Sequence, residues 1–191
     1  MTAERRSAAA LLPRPIRKRP LFLSEFISID EVTFRYPDGR DFCFTIRQEH
    51  DVVVCAALTA DGQALMLREY RPGPGRYLYE APAGMRARDQ EPLQAMEAEL
   101  LEETGYAGEV ALVSASYVGA YSSAKRFLFV ARNCRRVQPP AHLPGELMEI
   151  VFQGAKELDQ VIAAGDTTDL DACLLLRETL ASGAASRGHQ P

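Results

Sequence analysis

The stretch Gly84-MRARDQEPLQAMEA-Glu99-LL-Glu102-Glu103-T-Gly105-Tyr106 holds one helix together with its start and stop signals. Pro92 is a good first-turn residue, and Gly105 follows the last periodic position, where a left-handed cap is wanted. The spacing predicts Leu93, Met96 and Leu100 on the buried stripe. Glu99 and Glu103 would then be offset by only about 40° around the axis, with Glu102 beside them. Like charges so placed cost roughly 0.2–0.5 kcal/mol per pair. A divalent cation between the oxygens removes that cost, because hard ions take carboxylate ligands. A solvated acidic face is the alternative, and three glutamates alone would favour it.

The frame around the glutamates tips the balance. Pro82-Ala83-Gly84 stands in front and Gly105 directly behind, and the whole resembles the Nudix box. Gly84, Glu99, Leu100, Glu102, Glu103, Gly105 and Tyr106 match it without gaps. Two positions depart: Gln90 stands where the box has Glu, and Ala98 where it has Arg. With Ala98 and the extra Glu97, residues 97 to 103 carry four carboxylates and no cation. Lys125 or Arg126, from the strand expected nearby, is the candidate to compensate.

The resemblance extends outward and narrows to the ADP-ribose pyrophosphatase branch. Leu67-Arg-Glu-Tyr-Arg71-Pro72 and Tyr79-Glu80-Ala81-Pro82 look like the segment before the box. Glu146-Leu-Met-Glu149-Ile-Val, Lys156-Glu-Leu158, Gly165, Asp169 and Leu174-Leu-Leu look like the closing strand and two helices. The likeness covers roughly residues 25 to 180. Where the branch carries Ser-Pro-Gly and a later Glu, this chain has Val118-Gly119-Ala120 and Ala124.

That resemblance implies an α/β (mixed α+β) fold, a Nudix-type α/β/α sandwich with a mixed sheet and an N-terminal antiparallel strand extension. It implies metal-dependent hydrolysis of the pyrophosphate bond in a nucleoside diphosphate sugar, most simply ADP-ribose to AMP and ribose 5-phosphate. Carried over residue by residue, Glu99, Glu102, Glu103 and the Ala83 carbonyl bind the metal, Mg²⁺ by expectation with Mn²⁺ as the alternative. Glu146 is the candidate general base beside the catalytic Glu99, Glu102 and Glu103. Arg71 suits a phosphate clamp, since a guanidinium matches phosphate oxygens as a fork, and Glu80 is carried over with it as substrate-binding. Phe34 and Tyr36 are the candidates to hold adenine, which the family binds with aromatics that often reach across a homodimer. The reading from another class is a catalytically weak nucleotide-binding or sensor module, which Gln90, Ala98, Gly119 and Ala124 favour.

Composition agrees with a small globular protein. A chain of 191 residues, 47% hydrophobic, can bury one sizeable core. No apolar run approaches the roughly 18 residues of a membrane span. Cys43, Cys55, Cys134 and Cys173 lack paired spacing, which implies reduced, mostly buried thiols and a cytoplasmic setting. His50, His142 and His189 lie far apart, so a hydrolase triad has little support and surface histidine is expected. Six of the 22 cations but one of the 26 anions fall in the first twenty residues, leaving a body about nine charges negative. Such a body argues against general nucleic-acid binding; the resemblance implies a small-molecule nucleoside diphosphate as the partner.

Organisation follows from the same patterns. Residues 1–20 read as a basic, loose tail, with a transit segment as the alternative, and 181–191 as a second flexible tail. Between them a single domain is expected over 21–180, with N-terminal strands at 21–50 and the catalytic core at 51–180. Strands are predicted over 26–36, 41–48, 52–58, 64–70, 110–118, 127–131 and 149–153. Helices are predicted from Pro92 and over 155–164 and 168–180, with loops at 71–76 and from 139 to 145.

Overall fold

A computed structural model describes residues 12–25, 27–142, 145 and 147–187. The chain divides into two compact units, one of residues up to His50 plus 117–125, the other of 51–116 and 126 onward. Residues 117–125, which the sequence reading puts in the core, fall in the first unit.

The first unit is a three-stranded antiparallel sheet of β1 (Arg14–Leu23), β2 (Ile27–Arg35) and β3 (Asp41–Glu49), in that order. The hairpin between β2 and β3 turns through Pro37-Asp38-Gly39, as predicted, in continuous register from Ile27↔Glu49 to Arg35↔Asp41. Strand β1 corrects the expectation of a loose tail: residues 14–20 pair with β2. The pairing slips between Pro15 and Arg17 and between Pro20 and Phe22, where prolines that cannot donate a ladder bond are accommodated. Its cations are matched to the neighbouring strand, Lys18 to Asp30 at 2.8 Å and Arg19 to Glu31 at 3.0 Å.

The second unit is a mixed sheet between helices. Its strands are β4 (Val52–Thr59), β5 (Ala64–Arg71), β6 (Arg76–Glu80), β7 (Ala83–Met85), β8 (Tyr106–Tyr117), β9 (Lys125–Arg136) and β10 (Met148–Gln153). They run β10-β5-β4-β9-β8, with β6 beside β5 and β7 beside β4. The β4–β9 pairing is parallel, and the pairings of β4 with β5 and β7, and of β5 with β6 and β10, are antiparallel. The helices are α1 (Pro92–Thr104), α2 (Ala155–Ala164) and α3 (Leu170–Arg187).

Alternation along β4 makes the two layers. Val54, Ala56 and Leu58 pack with Leu158, Val161, Cys173 and Leu176 of α2 and α3. Val53, Cys55 and Ala57 pack with Ala95, Met96 and Leu100 of α1 and with Phe129. A strand whose successive side chains point to opposite faces must be apolar throughout when both faces are covered, as Val52–Leu58 is.

Three details differ from the sequence reading. Leu93 is exposed, and α1 buries Ala95, Met96, Leu100 and Thr104 instead. The short strands β6 and β7 occupy 76–80 and 83–85, where no strand is predicted, while the loop expected over 71–76 turns through 72–75. Helix α3 continues to Arg187, so 181–187 is helical rather than loose, while 188–191 lie outside the described residues. The cysteines are mostly buried, as expected: Cys55, Cys134 and Cys173 are buried and Cys43 is exposed.

Candidate active site

Helix α1 places its acids at the edge of its buried stripe. Met96, Leu100 and Thr104 lie against the sheet, and Glu99 and Glu103, one position before Leu100 and Thr104, are only partly buried. The helix closes at Gly105 in the left-handed region (φ 74°), whose N–H donates to the Leu101 carbonyl. The next carbonyls of the last turn are taken by the long loop after β9. Ala141 N–H donates to Glu102 O at 2.7 Å, and His142 Nε2 lies 2.7 Å from Glu103 O. Carbonyls at a helix end otherwise have no intrahelical partner, so this loop completes the cap.

Strand β7 is laid beneath the helix by pairing Ala83 with Val54 and Gly84 with Val53. Ala83 N–H donates to Glu103 Oε2 at 3.0 Å. At Gly84 the Glu99 carboxylate occupies the space a side chain would need, and any Cβ there would collide with it. Glycine in the box is therefore a matter of room for a carboxylate.

These elements enclose a cavity of about 440 Å³. Glu99, Glu102, Glu103, Ala83 and Gly84 line it together with Arg71. Glu69, His142 and Met148 line it as well. Burial pushes the Glu103 carboxyl up to about 8; the Ala83 N–H opposes this, and Glu99 and Glu69 add to it. Arg71 stabilises the Glu103 anion. It lies 3.1 Å from Glu69 and forks onto Glu80, with Nε donating to Oε2 at 2.8 Å.

Several expectations change here. Glu80 is 1% exposed and does not line the cavity; it grips Arg71 with one oxygen and accepts from Thr168 at 2.9 Å with the other. Arg126 does not compensate for Ala98, because its guanidinium is committed to Asp169 (2.6 Å) and Asp171 (2.9 Å). Lys125 sits over the Tyr117 ring. Among the described residues that line the cavity, the arginine beside the carboxylates is Arg71. Phe34 and Tyr36 belong to the first unit, where each packs edge-on against a β3 ring, Phe44 and Phe42 respectively. Glu146 lies outside the described residues. His142, read as a surface residue, is a cavity residue that no nearby motif marks, and Glu69, which lies inside the quoted Leu67–Pro72 segment with no role assigned, lines the cavity too.

Among the described residues no three His, Cys, Asp or Glu side chains are drawn together as a ready-made ion cage. The donor set nonetheless fits a hard divalent ion. Four carboxylates share one cavity, and one of them is held in its protonated range by burial and by two of the others. An ion supplied there would take over that proton's neutralising role. Among the described residues no helix is long and apolar enough to cross a membrane.

Comparison with known proteins bears on the fold and the family. An ADP-ribose pyrophosphatase of Bacillus subtilis (strain 168) is 25% identical over 155 residues, 78% of this chain and 84% of that protein. The crystal structure of an ADP compounds hydrolase superposes with a TM-score of 0.72 over 90% of this chain and 95% of that one. At 17% identity that likeness speaks to the fold. The NUDIX domain family matches residues 48–171, a span that contains every described lining residue of the carboxylate cavity. With box, fold and cavity in agreement, the chain belongs to the Nudix family and is a Nudix hydrolase.

Proposed function

We propose that this chain hydrolyses the pyrophosphate bond of a nucleoside diphosphate sugar, in the simplest case ADP-ribose to AMP and ribose 5-phosphate. The observation that carries the reading is the meeting of Glu69, Glu99, Glu102 and Glu103 with Arg71 around one cavity. Glu99, Glu102, Glu103 and the Ala83 carbonyl would hold divalent ions, with Mg²⁺ suited to all-oxygen ligands and Mn²⁺ a substitute. Such ions, when bound, polarise phosphoryl oxygens and lower the pKa of a coordinated water.

The chain's own groups have separate tasks. Arg71 presents a guanidinium held by Glu80, so that its remaining N–H groups meet a phosphate in a fixed orientation. The Ala83 N–H holds the Glu103 carboxylate against the strand, and Gly84 leaves room for that of Glu99. Glu146 is the proposed proton acceptor, on resemblance alone. Phe34 and Tyr36 are the proposed adenine platform in a homodimer, supported by their place in an aromatic cluster with Phe44 and Tyr121 that lines a second, apolar cavity of about 400 Å³. Three buried thiols are in keeping with a cytoplasmic setting.

Release of AMP or GMP from a panel of ADP- and GDP-sugars, with Mg²⁺ or Mn²⁺ supplied, tests the assignment. ADP-ribose should be turned over fastest, and chelation should stop the reaction. Turnover of no nucleoside diphosphate sugar under either metal would refute it and return the chain to the nucleotide-binding alternative.

A further inference from the structure

The connector between α2 and α3 runs along β6 and takes hold of alternate groups. Tyr79 N–H donates to Asp166 O at 2.8 Å, and the Arg76 guanidinium pairs with the Asp166 carboxylate. Thr168 Oγ1 donates to Glu80 Oε1 at 2.9 Å, and Ala81 N–H donates to Asp169 Oδ2 at 3.1 Å. Asp169 is itself anchored, its Oδ1 accepting from Arg126 at 2.6 Å. Glu80 and Asp169 are 1% and 3% exposed, so each depends on these partners in place of water. Their neighbours Ala81 and Pro82 lead directly into Ala83, whose N–H holds Glu103.

Glu80 divides its two oxygens. Oε2 receives the Arg71 fork, and Oε1 receives the Thr168 hydroxyl. A buried carboxylate held at one oxygen can turn about its side-chain bonds; a donor on the second oxygen fixes its plane. With its plane fixed, the carboxylate holds Oε2 in one place, and both Arg71 N–H groups converge on that oxygen. We infer that Thr168 is a positioning residue for substrate binding, acting through Glu80 on Arg71 and so on the direction in which the guanidinium faces a phosphate. This rests on the reading of Arg71 as the phosphate clamp. A hydroxyl on the α2–α3 connector thereby takes part in the cavity without touching it.

Thr168→Val removes the hydroxyl and keeps the shape. On ADP-ribose with Mg²⁺, its KM should rise roughly tenfold, about 1.4 kcal/mol of binding, with kcat little changed and the thermal midpoint lowered by only a few degrees, since one buried oxygen of Glu80 loses its donor. Thr168→Ser should restore KM. In an Arg71→Ala background, already weakened in KM, Thr168→Val should cost nothing more, since its route of action is gone. An unchanged KM in Thr168→Val, beside a raised KM in Arg71→Ala, would overturn the inference and leave the clamp standing. An unchanged KM in both would overturn the two together. A KM that rises only in step with a lost thermal transition, or that Thr168→Ser fails to restore, would mark Thr168 as merely structural and also overturn it.

Discussion

At neutral pH Glu103 holds a proton in the metal-free protein, because burial outweighs the Ala83 N–H that favours its anion. Its folded value of about 8 lies above the ordinary 4.5, so the native state binds the proton more tightly than the unfolded chain. The stability this contributes is fully present below the ordinary value and is lost as pH rises through the folded one. Thermal midpoints taken in chelator from about pH 5 to about pH 9 should therefore fall more for wild type than for Glu103→Gln, which cannot ionise. Equal slopes would show that Glu103 is not perturbed. Residues like this one were legible because Glu99, Glu102 and Glu103 sit within one helical turn and a half, between two glycines. Glu69 and His142 were not legible, since they reach the cavity from β5 and from the loop after β9, and no local spacing records that. Arg126 misled for a related reason: its own carboxylates, Asp169 and Asp171, stand more than forty residues away in sequence.

Helix α1 shows what local chemistry can and cannot announce. Pro92 and Gly105 bracketed it correctly, because both act through their own backbone. Leu93 was misplaced, because the buried stripe is set by the sheet beneath, which chooses Ala95, Met96, Leu100 and Thr104. Strand β1 was hidden by Pro15, Pro20 and a run of cations that find their anions only in β2. Strands β6 and β7 are too short to show a period, and the alanine-rich end of α3 resembled a tail. Gly105 does two jobs at the helix end. It adopts φ 74°, and a Cβ there would collide with the Gln138 carbonyl of the capping loop. Gly105→Ala should destabilise the protein by about 1–2 kcal/mol or more, lowering the thermal midpoint by roughly 2–8 °C. A midpoint equal to wild type would mean that the loop does not close over the helix as described.

Across the whole molecule, the order of strands and helices was the most legible level. Each buried element carries its own period, and the mixed sheet between helices follows once β4 is apolar on both faces. The family match over 48–171 falls inside the span 21–180 read as the domain. What sequence could not supply was the way distant segments converge on the carboxylates: β5 brings Glu69 and Arg71, β7 brings Ala83 and Gly84, and the loop after β9 brings His142. That convergence of four carboxylates on one cavity is the reason the reaction should need a divalent cation. The most direct test is the rate of AMP release from ADP-ribose by wild type and by Glu103→Gln, each with Mg²⁺ and with chelator. Wild type should turn over only with the metal, and Glu103→Gln should lose at least about a hundredfold, some 2.7 kcal/mol of transition-state stabilisation, while melting cooperatively. A Glu103→Gln enzyme as fast as wild type, or a wild type indifferent to chelator, would contradict the assignment of a metal-dependent hydrolytic site to this helix.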